Sequence, residues 1–379
     1  MQSEFLASGA SAVAAWILEA LINDYQVSLL TWKPPDFEEI NRILGTSLSS
    51  SIITVHSINP VLRKIRDLDP DPESFQKLAY LMRVCRKISK DYDVIISADN
   101  ELDFGRRGIL YLHYPYLHGK LRSDIDRLPW HRKLRDVLLN GQYRPWMLIS
   151  GFSLDRMKNN LILVNSEWTG DRVREFYGIE TKTVYPPVAG DFPDEAWENK
   201  ENGFVCIGRI CPGKKFHTII EILSTVKSKI PDVRLHIIGA LSTRREDREY
   251  HRQLTKLIRE NFSWVFLHEN LPRRELVRLV SKHRYGIHAN VDEHFGIAVA
   301  EMLKAGCIVF THNSGGQVEI VGRDEQLLYR DKEEAVEKII RVIDNPEKQT
   351  SIRSCLDSRR ELFSAEKFMN QIREIVRQF

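Results

Sequence analysis

Short β-rich runs and amphipathic helical stretches alternate along this chain from end to end, and few architectures accept that order. Strand patterns fall at 26–32, 51–57, 92–97, 109–113 and 161–165, then at 204–207, 233–238, 264–268, 285–289 and 308–311. Between them, segments such as 11–23, 74–90, 218–229, 247–259 and 273–282 space apolar residues for one helix face. Alternation of this kind predicts parallel sheets covered by helices on both faces. Several runs are continuously apolar, as strands buried on both sides should be.

A chain of 379 residues suits two such domains. The divide reads at Val184-Tyr185-Pro186-Pro187-Val188, where two prolines remove successive backbone donors and forbid helix. The expectation is an α/β protein with doubly wound parallel-sheet domains at 1–186 and 187–361. Ligands of such sheets bind at the carboxyl ends of the strands, so a central cleft faced by both domains is the expected site. Ser8-Gly9-Ala10-Ser11 reads as a strand-to-helix turn with only seven residues before it, so the first strand should be short or absent.

The stretch Gly208–Lys215, GRICPGKK, follows a strand run and matches a Walker A loop until its last position, where Lys215 replaces the magnesium-binding hydroxyl. None of the second-half strands ends in the aspartate an ATPase would need. Arg209 and Lys214 instead offer two fixed cations beside a helix start, suited to a diphosphate without metal. A basic turn facing solvent is the plainer alternative for this segment alone. Further on, Asp292-Glu293-His294-Phe295-Gly296-Ile297-Ala298-Val299-Ala300-Glu301 follows another strand and opens a helix. Its two carboxylates, Glu293 and Glu301, could accept pairs of sugar hydroxyls or serve the helix dipole. Gly296 allows close backbone approach. Asn313-Ser314-Gly315-Gly316 then forms a turn before a helix at 317–321.

Together these residues resemble glycosyltransferase family 4, the metal-independent, retaining enzymes of the GT-B fold. The family pattern G-R-x-x-P-x-K appears as Gly208, Arg209, Pro212 and Lys214, E-x7-E as Glu293 and Glu301, and the glycine turn as Gly315-Gly316. The resemblance covers nearly the whole chain. It implies that a last helix, from Phe363-Ser364-Ala365-Glu366-Lys367-Phe368, crosses back so that about 362–379 complete the first, acceptor-side domain. The second would bind the nucleotide-sugar donor.

It also implies roles. Arg209 and Lys214 would stabilise the departing nucleotide diphosphate, Glu293 would meet the donor sugar, and His113, ending a strand before Tyr114-Pro115, would line the acceptor side. These four are the catalytic expectation. Donor binding is expected at Gly208, Gly239, His294, Phe295, Gly296, Ile297, Ala298, Glu301, Gly315 and Gly316, with Glu301 on the ribose diol. A local likeness of EHFGIAVAE…HNSGG and Leu112-His113-Tyr114-Pro115 to mannosyltransferases of dolichol-linked oligosaccharide implies GDP-mannose, while the wider family leaves UDP-glucose open. The expected activity is transfer of a hexose to a saccharide or lipid-linked saccharide in polysaccharide or glycoconjugate synthesis. A nucleotide-sugar epimerase or hydrolase, or a non-catalytic nucleotide-sugar-binding scaffold, stands as the alternative.

Composition narrows the partners. With 55 basic against 52 acidic residues, net charge is only +3, which gives no reason to expect nucleic acid. Five scattered cysteines argue for reduced thiols rather than a disulfide framework. No apolar run approaches the ~18 residues of a membrane span, and no secretion signal is visible, so a cytoplasmic protein is expected. Lys120, Arg122, Arg127, Arg132, Lys133 and Arg135 suggest peripheral contact with an anionic membrane, or simply a solvated helix face. Asp67-x-Asp69-x-Asp71 is interleaved with Pro70 and Pro72 and reads as a turn, so no metal is expected. Oligomeric state is not legible.

Overall fold

A computed structural model describes residues 1, 2, 5, 9–60, 63, 75–117, 143–242, 244–261 and 263–379. The acidic trio at 67, 69 and 71 and the basic set between Lys120 and Arg135 lie outside them. The chain divides into two compact units, Met1–Pro187 with Ala365–Phe379, and Val188–Ser364.

Among the described residues the first unit carries six short parallel strands. β1 (Ser28–Thr31) pairs with β2 (Thr54–Ser57); β3 (Ile96–Ser97), β4 (Ile109–Leu112), β5 (Leu161–Val164) and β6 (Lys182–Thr183) form a second sheet in that order. The sequence Ile-Leu-Tyr-Leu of β4 is buried throughout, and Leu110, Leu112, Ile162 and Val164 join Leu30, Leu81 and Met82 in one core. Observed strands are shorter than the patterns implied. The run at 92–97 yields only β3, because the helix Phe75–Ile88 continues as a tight turn to Asp91 and Tyr92 donates back to Ser89. At the amino end, Gln2 donates to the Leu30 carbonyl (3.1 Å) and Met1 accepts from Ala98 (3.4 Å), so two residues span the ground between the sheets.

The helix Ala365–Gln378 belongs to this first unit. It buries Phe368, Ile372, Ile375 and Val376. Phe368 meets the edge of Tyr111, and Arg373 donates to the Ala20 carbonyl that ends helix Gly9–Leu21.

The second unit is one continuous sheet. Its strands are β7 (Glu201–Arg209), β8 (Arg234–Ala240), β9 (Val265–Glu269), β10 (His283–His288), β11 (Ile308–His312) and β12 (Leu328–Tyr329), all parallel. Their spatial order, β9-β8-β7-β10-β11-β12, is that of a dinucleotide-binding sheet, with the strand order reversing between β7 and β10. Phe204, Val205, Leu235, Ile237, Tyr285, Ile287, Ile308 and Val309 are all but solvent-free. The ladder carries β7 past the apolar run: Gly208 pairs with Gly239 and Arg209 with Ala240. Those two residues are therefore strand, not turn, and the loop begins at Ile210.

Candidate active site

A sheet whose order reverses leaves a crevice at the carboxyl ends of the two strands flanking the reversal. Here those ends deliver Arg209 from β7 and the loop 289–296 from β10. Arg209 is exposed and enters no ion pair among the described residues. The side chain of Lys214 lies across Gly208, where a Cβ would stand 3.2 Å from its Cγ and Cδ, and runs on to Glu293. Lys214 Nζ sits 2.6 Å from Glu293 Oε2, each side chain 20% exposed. Residues 79 apart in sequence are thus brought together by the switch point alone. Lys215, at the Walker hydroxyl position, takes a left-handed conformation (φ 49°) that starts helix Phe216–Lys229.

Glu293 also accepts from Asn290 Nδ2 at 2.5 Å. Its surroundings decide its charge. Burial would raise its pKa, but Lys214, then His288, then the hydrogen bonds from Lys214 and Asn290 outweigh that and bring it down to about 2. The buried His288 behind it, Nε2 3.9 Å from Glu293 Oε2, is pushed down to about 4 by burial and by Lys214. The site therefore holds a carboxylate, an ammonium and a neutral imidazole near neutral pH. His294 is half-buried, and burial lowers its pKa against the pull of Glu293.

The loop is locked from below by the glycine turn. Gly315 (φ 76°) lies so close to Glu293 that a Cβ would stand 2.3 Å from its carbonyl oxygen and 2.6 Å from its nitrogen. Gly316 donates to the same carbonyl at 2.8 Å, and Ser314 Oγ accepts from Asp292. Beneath both segments the solvent-free side chain of Gln317 donates to the carbonyls of Asn290 (2.7 Å), His312 (3.2 Å) and Ser314 (2.9 Å) and accepts at 2.7 Å from His288 Nδ1. Sequence reading placed Gln317 in a helix and gave it no role, since nothing local distinguishes a glutamine that joins two loops.

Gly296 (φ 105°) caps helix Ile297–Lys304, where a Cβ would crowd Gln317. Ile297 and Ala298 form the half-exposed first turn, whose amides have no carbonyl partner inside the helix. Phe295 turns inward against Phe363 at 5.8 Å. Glu301, nearly buried, forms an ion pair with Arg273, which also donates to the Ala189 carbonyl and lies 5.5 Å from the Phe192 ring. Sequence reading missed Arg273, which opens its own helix 28 residues before Glu301. Gly239 makes room for Ile210, whose Cγ1 would lie 2.4 Å from an added Cβ.

His113 lies in the first unit, just past β4. Its Nε2 is 2.9 Å from the Ala98 carbonyl and its ring 5.1 Å from Tyr111. The other expected site residues all belong to the second unit. Among the described residues the single grouping of three potential metal ligands is Glu201, His236 and His283, and none of the carboxylates above is in it. Nor is any described helix long and apolar enough to cross a membrane.

This assembly has counterparts. Residues 189–354 match the family model described as Glycosyl transferases group 1, so the second unit is a domain of that family. The whole chain has the GT-B fold: Anabaena HepE, solved in complex with UDP, superposes over 100% of this chain and 98% of its own at a TM-score of 0.68 and 16% identity. Sucrose-phosphate synthase of Thermosynechococcus elongatus superposes over 98% and 94% at 0.68 and 17% identity. In sequence the chain resembles GDP-Man:Man(3)GlcNAc(2)-PP-Dol alpha-1,2-mannosyltransferases. That of Candida glabrata is 27% identical over 58% of this chain and 47% of its own, and that of Homo sapiens 28% over 68% and 58%. The chain spans about half the length of these curated relatives.

Proposed function

We propose that this chain transfers mannose from GDP-mannose to a saccharide acceptor, a lipid-linked one by analogy with its relatives, with retained configuration and no metal in the transfer step. The observation that carries the reading is the Lys214–Glu293 contact at the switch point, with Arg209 ending the strand before it and in no ion pair among the described residues. The relatives' printed donor, GDP-Man, favours mannose over the UDP-glucose alternative.

In the transfer, the bond between the sugar's anomeric carbon and the β-phosphate oxygen breaks, and its electron pair stays on that oxygen. Arg209 and Lys214 gain most when this charge has developed, and a contact stronger in the transition state than in the ground state is what lowers a barrier. The acceptor hydroxyl oxygen bonds to the same carbon from the same face and passes its proton to the departing phosphate. Glu293, held as an anion, takes donor-sugar hydroxyls. Glu301 uses Oε1 on Arg273 and keeps Oε2 for a ribose hydroxyl. The amides of Ile297 and Ala298 point positive charge at the phosphates. His113 serves the acceptor.

Arg209→Ala and Lys214→Ala, each assayed for GDP release from GDP-mannose with a dolichol-pyrophosphate oligosaccharide, are each expected to lose on the order of 10²-fold or more in kcat/KM, with Arg209→Ala keeping the wild-type melting temperature and Lys214→Ala still folding, though less stable for the loss of the Glu293 ion pair. Full activity in both would overturn the assignment. Product formed from GDP-mannose without any acceptor would point instead to epimerisation or hydrolysis.

A further inference from the structure

The opposite ends of the same strands gather imidazoles. Glu201 opens β7, His283 opens β10 and His236 is the third residue of β8, on three strands that lie side by side. One ligand atom from each falls within 4.8 Å of the others. The rings of His236 and His283 are 4.5 Å apart, and His283 Nε2 is 3.8 Å from Glu201 Oε2. His283 is 1% exposed, yet its Nε2 has no hydrogen-bond partner among the described residues. A buried imidazole nitrogen left bare is costly unless something is meant to fill it.

We propose that Glu201, His236 and His283 form a binding site for a divalent ion of the zinc class, separate from the sugar-transfer site.

The outer contacts are those a metal site requires. His283 Nδ1 lies 2.8 Å from the Leu279 carbonyl, so it carries the proton and leaves Nε2 as the lone-pair nitrogen. His236 is backed by His268, whose Nε2 is 3.0 Å from His236 Nδ1. Two imidazoles and a carboxylate with an open fourth position suit zinc chemically. Ligand atoms around tetrahedral zinc stand roughly 3.3 Å apart, so from a spread of up to 4.8 Å the cluster must draw in by up to about 1.5 Å. Glu201, half exposed at the first residue of its strand, has that freedom.

Charge also agrees. Lys200, next to Glu201, turns its ammonium away to the carbonyls of Ser281 and Ala305. Arg234, the other nearby cation, stands exposed at the start of β8. An ion here would tie three neighbouring strands together and stabilise the second unit without touching donor chemistry.

The test uses the full chain carrying Cys355→Ser, which removes the exposed thiol, stripped with a chelator and titrated with Zn²⁺ by calorimetry. One ion per chain is expected, with a raised melting temperature and, for Co²⁺, the visible absorption of a tetrahedral site. His236→Asn and Glu201→Gln should each weaken binding about tenfold or more. Glu201 is exposed, so its variant keeps the test decisive if the change at the partly buried His236 disturbs folding. Absence of a stoichiometric ion, or binding unchanged in both variants, would mean an adventitious ion only and overturn the proposal.

Discussion

The two ends of the six-stranded sheet of the second unit are built from the same strands and do opposite things with polar groups. At the carboxyl ends the charges in the crevice are tied in pairs: Lys214 to Glu293, Glu293 to Asn290, Glu301 to Arg273, with Gln317 holding the loops beneath. At the amino ends the imidazoles of His236 and His283 crowd together beside the half-exposed Glu201, and His283 Nε2 has no hydrogen-bond partner among the described residues. The difference follows from what approaches each end. Parallel strands finish where helix amino-termini begin, so anions are drawn there, and a pyrophosphate can exchange with a carboxylate already in place. The amino ends lack that field and leave soft bases exposed to one another.

The sharpest way to break the contrast is a methyl group at each end. Gly315→Ala places Cβ 2.3 Å from backbone at a left-handed residue, whereas Gly203→Ala places it 2.9 Å from the edge of the His283 ring. Backbone cannot turn aside as a ring can. Left-handed strain of roughly 1–2 kcal/mol adds to an overpacking cost of about 1–3 kcal/mol at Gly315, so loss of more than ~3 kcal/mol is expected there and about 1 kcal/mol at Gly203. Denaturant melts of the two variants decide it, and equal losses would show that the glycine turn is no tighter than an ordinary strand contact.

Acid should load the carboxyl end in two steps. His288 has a folded pKa of about 4, below the 6.5 of a free imidazole, so the unfolded chain binds the extra proton between those values. Its contribution to stability is whole above pH 6.5 and lost as pH falls toward 4, by up to about 1.4 kcal/mol per pH unit. Glu293, depressed to about 2, adds a second loss only between pH 4.5 and 2. His288→Asn should flatten the upper window and Glu293→Gln the lower one. If Glu293→Gln flattened the upper window instead, the proton assignment within this pair would be wrong.

How far the sequence could carry this picture differs between the same regions. Apolar runs such as Phe204–Ile207 and Ile308–Thr311 announce buried parallel strands, and the spacing of Glu293 and Glu301 is local, so both were legible. Arg209 and Lys214 were legible as two cations at a strand end, and the structure puts the first at the end of β7 and the second in the turn that follows. What was hidden depends on pairing between distant segments. Arg273 meets Glu301, Gln317 joins the loops at 290 and 314, and the ladder with β8 turns Gly208 and Arg209 into strand. The histidines at 236, 268 and 283 lie on different strands, with no motif of their own. The patterns at 92–97 and 26–32 were longer than the strands they became: β3 starts only at Ile96, behind a tight turn that ends at Asp91, and Gln26, Val27 and Trp32 lie outside β1.

Gly239 tests whether the carboxyl edge reads its ligand through contact or through packing. Sequence pattern put it among donor-binding residues, yet its missing Cβ is filled by Ile210, whose Cγ1 and Cδ1 would lie 2.4 and 2.7 Å from an added methyl. Ile210 is 1% exposed and donates to the Ala240 carbonyl, so it cannot leave, although its side chain can rotate. Gly239→Ala is therefore expected to cost about 1–2 kcal/mol in stability with little change in the KM for GDP-mannose. Ile210→Val in the same chain should restore part of that loss, because residues sharing one space do not act additively. A raised KM with an unchanged melting temperature would instead place Gly239 against the donor, and the packing account of this glycine would fall.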